Sequence, residues 1–284
     1  MSDPRAALDA VGQLPDVELD IAGAALQFAR IDLPRGDWRA AERHLSVLAR
    51  DAVEGARGLA SGTARARAGM LAALMGRHRY AGDTETYGSP ANANLIQVIE
   101  RRRGLPVSLG ILWLHCARAI GWPAHGLNFP GHFLLAVEGA APRRPVRGAS
   151  PQHVVVDPFS GGTVLDAHDL HALLQRIEGP GAELRPGMLQ PMSARAVLLR
   201  LQNNIRGRRD VQGDVAAALA CTEDMLRIAP DDVGLWRDAA LKNEWLDRVA
   251  AALRCYERVV ELVPDGDSAV RARAAMDGLR ARLN

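Results

Sequence analysis

Apolar residues recur three and four positions apart through most of the first 80 residues, a spacing that places them on one face of an α-helix. Segments 15–32 and 36–56 both show this pattern, and segment 59–82 repeats it after a Gly/Ser break. A turn-rich strip follows, and the next apolar segment predicts a helix ending at Gly104, because glycine commonly terminates helices. The N-terminal part of the chain is therefore predicted to be helical.

The pattern changes after Gly104 and predicts a central helix followed by strands. Pro106 can occupy a first helical turn, and apolar residues on most faces of the next segment indicate a buried helix that ends at Gly121. HFLLAV (132–137) and HVVVD (153–157) have the composition of short strands. Because only the Pro- and Arg-rich loop AAPRRPVRGASP separates them, we expect them to be neighbouring antiparallel strands.

The last third of the chain contains a repeat of 34 residues. Segment 217–232 aligns with segment 251–266 at this offset, which superposes Cys221 on Cys255. This is the period of the tetratricopeptide repeat (TPR), in which each repeat is a pair of helices. Two helical pairs and a final capping helix are therefore predicted, with both cysteines in the packed core.

Composition and charge argue against several classes of protein. The net charge is +2, and the basic residues, which include a single lysine, Lys242, form no long tract, so nucleic-acid binding is not expected. Apolar runs stay below the roughly 18 residues of a membrane span, and the first residues lack the features of a secretory signal. Three widely spaced cysteines suggest reduced thiols. We expect a cytoplasmic protein that does not bind membranes.

Three polar residues occur in an order that suits nucleophilic catalysis. Ser108 begins the buried helix, His132 opens one predicted strand, and Asp157 closes the next. A helix N-terminus favours an anionic nucleophile, a histidine can take its proton, and a carboxylate can orient the imidazole. Each residue also has a structural interpretation: Ser108 as a partner of first-turn N–H groups, His132 as a strand-edge residue and Asp157 as a turn residue before proline. Both interpretations stay open at this point.

No metal site or cofactor is expected. Other histidines could join His132 as ligands, but none has the HxxxH or HExxH spacing of zinc sites. These histidines are His115, His125 and His153. Cys116 is not a substitute nucleophile for Ser108, because eight residues along a helix correspond to about 80° of rotation and about 12 Å of rise. Cys116 is therefore predicted to lie in the core.

The segment from Tyr80 to Val137, together with VVVDPFSGG, resembles the SirB family, bacterial transglutaminase-like proteins with a TPR tail. The resemblance rests on the spacing from Asn92 to Leu95, on GLPVS, on NFPGHF and on DPFSGG, in that order, and it covers nearly the whole chain. It implies an α+β fold. Residues 1–190 are expected to form a helical N-terminal part and a papain-like transglutaminase core with an antiparallel sheet, and residues 191–284 an all-α TPR tail.

The same resemblance implies roles for the three polar residues. Transglutaminase-like enzymes resemble papain, with cysteine at the helix start, histidine on one strand and aspartate on the next. By this likeness Ser108 occupies the nucleophile position, His132 the base position and Asp157 the orienting position. A serine hydroxyl, unlike a thiol, is not ionised in the ground state, so the cysteine-to-serine change weakens the catalytic interpretation.

Two hypotheses of function follow. The leading one is a cytosolic protein with weak or absent catalysis, acting as a protein-binding or regulatory module that holds a protein or peptide through its TPR groove or its cleft. The alternative is a Ser-His-Asp hydrolase or acyltransferase that acts on an amide or ester of a protein or peptide.

Overall fold

Side-chain caps fix where the N-terminal helices begin. The structure is a computed structural model that describes residues 3–140 and 153–282. Asp20, Asp37 and Thr63 each precede a helix and accept a hydrogen bond from a backbone N–H of its first turn. The helices are α1 (Pro4–Gly12), α2 (Ile21–Asp32), α3 (Trp38–Gly55), α4 (Ala64–Arg77), α5 (Leu95–Arg101), α6 (Pro106–Ile120), α7 (Ala167–Glu178), α8 (Ala194–Val211), α9 (Val215–Ile228), α10 (Val233–Trp245), α11 (Val249–Leu262) and α12 (Asp267–Ala281).

The strands form a short parallel pair and a five-stranded antiparallel sheet. The sheet order is β6-β5-β4-β3-β7, and β1 pairs with β2. The strands are β1 (Ala81–Gly82), β2 (Arg103–Gly104), β3 (Ala124–Phe129), β4 (His132–Glu138), β5 (His153–Asp157), β6 (Thr163–Leu165) and β7 (Pro191–Met192).

The structure confirms the predicted α+β class and the antiparallel pairing of β4 with β5, in which Leu135 lies opposite Val156. The sequence did not reveal β3, because Gly126 and Asn128 are residue types depleted in strands. Strands β6 and β7 are too short to give an alternating pattern. Most of the predicted loop between β4 and β5 falls on residues 141–152, outside the described residues.

Helix α6 is the central buried helix that the sequence predicts. Most of its side chains are buried, Trp113 among them, and it ends at Gly121, whose positive φ of 76° suits glycine. Helix α5 ends earlier than predicted. Its last residue is Arg101, and Arg102 adopts the left-handed conformation with φ 58°. The guanidinium of Arg102 hydrogen-bonds Tyr80 and His44, which accounts for a non-glycine residue there.

The described residues divide into two units at places that differ from the predicted boundary after residue 190. One unit spans residues 15–201, because β7 pairs with β3 and Val197 packs against Gly126. The other joins residues up to 14 with residues 202 onward. Helix α1 belongs to this second unit because it packs on α9. The predicted domain of residues 1–190 had placed α1 with the sheet.

The second unit begins within α8, at residue 202, and from there it contains the helical pairs that the 34-residue period predicts. Helices α8 and α9 form one pair, α10 and α11 the next, and α12 follows as the capping helix. Cys221 and Cys255 are both buried, as expected for core positions in one register. In the part of the chain that the structure describes, every helix is too short or too polar to span a lipid bilayer.

The contact between α6 and β4 provides a stability test. A Cβ atom at Gly110 would lie 2.2 Å from the Phe133 ring, so Gly110→Ala is expected to lower the free energy of unfolding by about 1–3 kcal/mol through overpacking. The control is Gly69→Ala, at an exposed position of α4 with nothing near its Cβ, which should raise it by about 0.5–1 kcal/mol. Urea unfolding followed by circular dichroism measures both. Equal midpoints for wild type and Gly110→Ala would show that this contact is not tight.

Candidate functional site

Two of the three predicted site residues are hydrogen-bonded to each other. His132 begins β4 immediately after Gly131, whose φ of 61° lets the chain turn sharply between β3 and β4. Asp157 ends the adjacent strand β5. The distance from His132 Nε2 to Asp157 Oδ1 is 3.0 Å, and their side chains are only 14% and 8% exposed. The sheet therefore brings a partly buried imidazole and a buried carboxylate together at one end.

The turn after β5 holds the Asp157 carboxylate in place. The Phe159 amide donates to Oδ1 at 2.9 Å, and Ser160 Oγ donates to Oδ2 at 2.8 Å. Burial raises the pKa of Asp157, but the hydrogen bonds and charge of His132 and the donors from Ser160 and Phe159 outweigh it, so the net pKa lies below the ordinary value. The Asp157 carboxylate thus accepts hydrogen bonds from the turn after β5 and also pairs with His132. Because His132 contacts it through Nε2, the other imidazole nitrogen, Nδ1, does not take part in this pair.

Ser108 has different partners. It is fully buried in the first turn of α6, and its Oγ donates to the backbone carbonyls of Asn92 at 2.8 Å and Leu105 at 3.0 Å. A hydroxyl has one hydrogen, so the two carbonyls share it. Among the described residues Ser108 makes no hydrogen bond to His132. The structural interpretation of Ser108 expected N–H partners in the helix's first turn, whereas the observed partners are carbonyl oxygens.

Asn92 extends the Ser108 contact into a network that the sequence did not predict. Its amide group donates to the Thr86 carbonyl at 2.8 Å, and its Oδ1 accepts from Arg101 at 2.8 Å. Arg101 also binds the Asp83 carboxylate at 2.7 Å. These bonds fix residues 83–92, which we call the Tyr87 loop. The spacing from Asn92 to Leu95 is one of the motifs of the family resemblance. No pattern in the neighbouring sequence predicts the hydrogen bonds of Asn92 with Thr86 and Arg101.

Aromatic rings connect the Tyr87 loop to the histidine. The Phe159 ring packs edge-on against Tyr87, with centroids 5.7 Å apart, and against His132, with centroids 6.2 Å apart. Gly82 lies against Phe159 so closely that a Cβ atom would come within 2.5 Å of the ring. Tyr87 is 48% exposed. The loop that Ser108 helps to hold therefore borders the imidazole through Phe159.

Arg200 supports the other side of the turn before His132. Its guanidinium donates to the backbone carbonyls of Phe129 and His132 and to Asn128 Oδ1. Burial lowers the pKa of Arg200. The residue lies about 70 positions away from the turn in sequence, so no local pattern could have identified it.

The remaining candidates lie outside this arrangement. Cys116 is fully buried, as predicted, and burial raises the pKa of its thiol to about 12. Over residues 3–140 and 153–282 no three or more His, Cys, Asp or Glu side chains are arranged to hold a metal ion.

The lowered pKa of Asp157 gives a pH test. Asp157→Asn is expected to lose about 1–3 kcal/mol of unfolding free energy at pH 7, because an amide cannot satisfy all three donors. The carboxylate stabilises the fold above its unfolded pKa near 3.9, and this contribution is lost as the pH falls through the lower folded pKa.

The difference in stability between wild type and Asp157→Asn should therefore be constant above about pH 5 and shrink below about pH 4. Urea titrations across this range measure it, with the exposed Asp265→Asn as a control that changes stability by less than about 0.5 kcal/mol. A difference that does not depend on pH would contradict this role for the carboxylate.

Known proteins resemble this chain in both of its parts. The profile of the transglutaminase-like superfamily matches residues 39–203, and that of the tetratricopeptide repeat matches residues 205–277. A UPF0162 protein of Pseudomonas aeruginosa is 33% identical over 229 residues, which is 80% of this chain and 78% of that protein. A UPF0162 protein of Xylella fastidiosa is 33% identical over 165 residues, 57% of this chain and 55% of that protein.

More distant similarity extends to F-box only protein 21 of Mus musculus, which is 28% identical over 164 residues, 55% of this chain and 24% of that protein. The matches span only about half the length of several of the bacterial relatives. No solved structure matches the chain significantly. Because the superfamily profile covers more than half of the chain and the Pseudomonas relative aligns over most of both sequences, the chain belongs to the transglutaminase-like superfamily and to the UPF0162 proteins. Its own C-terminal segment matches the tetratricopeptide repeat.

Proposed function

We propose that this chain is a cytoplasmic protein-binding module of regulatory function whose transglutaminase-like cleft has little or no catalytic activity. The observation that carries the proposal is the engagement of the Ser108 hydroxyl by the carbonyls of Asn92 and Leu105 at a fully buried position. An attacking serine must give its proton to a base within hydrogen-bond reach. The hydroxyl of Ser108 is instead used to join α6 to the Tyr87 loop.

The retained His132–Asp157 pair has a structural task in this proposal. Its hydrogen bond ties the start of β4 to the end of β5, and Phe159 packs on the imidazole. The half-exposed Tyr87 next to Phe159 gives the cleft an aromatic border. Aromatic side chains are enriched at protein interfaces, which supports a protein or peptide as the ligand of the cleft.

The TPR segment supplies a second binding surface in the proposal. On α10, Leu241 and Trp245 are one helical turn apart and are 54% and 71% exposed. Lys242 beside them is held by Asp210 and Asp238 at 3.2 and 2.6 Å. An exposed tryptophan is a typical anchor of a protein interface, and the exposed Leu241 extends the apolar surface beside it. We propose that this pair, called the α10 patch, contacts a partner protein.

Catalysis is tested with serine-directed covalent probes. Across a broad set of fluorophosphonates and activated esters, the wild type is expected to remain unlabelled, as is Ser108→Ala, because the hydroxyl is buried and has no base. A serine hydrolase labelled in the same tube serves as positive control. Labelling of wild type that Ser108→Ala removes would overturn the proposal.

One observation favours the alternative, a Ser-His-Asp hydrolase or acyltransferase. The imidazole of His132 is already paired with an ionised Asp157, which is the arrangement of a general base. In that case Ser108 would have to leave its two carbonyls and reach His132 when substrate binds. The same probes decide between the hypotheses, and His132→Ala should then abolish labelling as completely as Ser108→Ala.

The α10 patch is tested by comparing variants. In affinity purifications from source cells, the double variant Leu241→Ser, Trp245→Ser is expected to retain at least tenfold less of the proteins that copurify with wild type. Its melting temperature should be nearly unchanged, because both side chains are exposed. Val270→Ser, an equally exposed apolar position on α12, is the control. Equal recovery with wild type and the double variant would remove the patch from the proposal.

A further inference from the structure

We infer that a cavity beside the start of β3 binds a small carboxylate with an apolar body, and that Arg118 holds the carboxylate group. The cavity has a volume of about 410 Å³ and lies between the segment before α2, helix α6, strand β3 and the start of α8. All of its lining residues belong to the unit of residues 15–201. Because His132 pairs with Phe129 at the other end of β3, this site is distinct from the cleft and goes beyond the proposed function.

The walls of the cavity favour an apolar ligand body. Leu19 and Val197 line it and are fully buried, whereas Val17, which also lines it, is 84% exposed. Small-molecule sites typically have volumes of roughly 300–1,000 Å³ and mostly apolar walls. A ligand with an apolar body would remove this surface from water, which is favourable. The apolar side chains around the cavity include Leu19, Ile21, Leu114, Trp122, Met192 and Val197.

Arg118 places a positive charge beside these walls. Its Nη1 donates to the Leu19 carbonyl, and its Nη2 donates to the Val17 carbonyl at 3.2 Å. A guanidinium has five N–H groups, so three remain for a ligand. Among the described residues no carboxylate forms an ion pair with Arg118. The two carbonyls hold the guanidinium in place, and its planar shape suits a carboxylate.

The other polar groups of the cavity favour a ligand with a single negative charge. Asp16 lines the cavity, and its carboxylate is already held by the backbone N–H groups of Ala194 and Arg195 at 2.7 and 2.9 Å. Burial lowers the pKa of His125, so this lining residue adds no positive charge near pH 7. With one arginine and a carboxylate nearby, a doubly charged phosphate group is disfavoured relative to a carboxylate.

The test uses octanoate and phenylbutanoate as probes, one aliphatic and one aromatic carboxylate, and compares each with the alcohol of the same carbon skeleton. In isothermal titration calorimetry of the full chain, at least one carboxylate is expected to bind at least tenfold more tightly than its alcohol, because only the carboxylate pairs with Arg118. The tighter of the two carboxylates shows whether an aliphatic or an aromatic body fits the cavity. Absence of binding by both at millimolar concentration, or equal affinity for acid and alcohol, would overturn the inference.

Variants of Arg118 locate the carboxylate. Arg118→Gln keeps a hydrogen-bond donor for the backbone carbonyls but has no charge, so it should weaken carboxylate binding at least tenfold and leave binding of the alcohol unchanged. Arg118→Lys should restore part of the affinity. Arg176→Gln, at an exposed position of α7, is the matched control and should bind like wild type. Undiminished binding of the carboxylate to Arg118→Gln would contradict the proposed site.

A second position tests the cavity itself. Ala124 lines it and lies on the same face of β3 as Gly126, whose added Cβ atom would lie 2.9 Å from Val197. Ala124→Phe is therefore expected to fill the cavity and abolish binding of acid and alcohol alike, whereas Ala172→Phe, at an exposed position of α7, should leave both unchanged.

Melting temperatures identify the variants that fold. Wild-type affinity of a folded Ala124→Phe variant for the carboxylate would overturn the inference, and if this variant does not fold, the Arg118 variants decide alone. None of these measurements depends on serine labelling or on the α10 patch. The proposed function can therefore fail while this site is supported, and the reverse also holds.

Discussion

The arrangement of the candidate site depends on one contact, in which the buried Ser108 hydroxyl donates to the Asn92 carbonyl and so connects the first turn of α6 with the Tyr87 loop. Its second acceptor, the Leu105 carbonyl, belongs to the start of α6 itself. The Asn92 carbonyl also accepts from the Leu105 amide, so the helix start and the loop meet at one oxygen. The Asn92 side-chain amide donates to the Tyr87 carbonyl. The Tyr87 ring packs against Phe159, and Phe159 packs against the His132 imidazole. Ser108 thus contributes to the order of the loop that borders His132.

This arrangement gives the His132 imidazole and the Asp157 carboxylate a structural role of their own. The His132–Asp157 pair joins two strand ends and is anchored by the turn after β5, so the sheet gains from it whether or not chemistry occurs. A cysteine thiol is a weak hydrogen-bond donor, so the serine hydroxyl is the better donor to the carbonyls of Asn92 and Leu105. Serine at 108 therefore suits a packed helix start, whereas cysteine suits an ionised nucleophile.

Features encoded in local sequence were predictable, and features built from distant residues were not. The pattern around 106–120 indicated a buried helix, and the 34-residue period indicated the TPR pairs, because each depends on neighbouring residues alone. The His132–Asp157 pair was named from strand order and a family resemblance. The contacts of Arg200 with the turn before His132 join residues 68 and 71 positions apart, and the packing of α1 on α9 includes the pair Arg5–Asp224, 219 positions apart. Periodicity and spacing carry no information on such contacts.

The most direct test of a structural role for residue 108 is the pKa of the thiol in the variant Ser108→Cys. This pKa is measured from the pH dependence of iodoacetamide alkylation, followed at residue 108 by mass spectrometry. The native protein should react far more slowly than the unfolded chain, with a thiol pKa above the ordinary value of about 8.5, because burial and two carbonyl partners disfavour the thiolate. Rapid alkylation with a pKa below about 7 that His132→Ala raises would show instead a cleft still poised for nucleophilic catalysis.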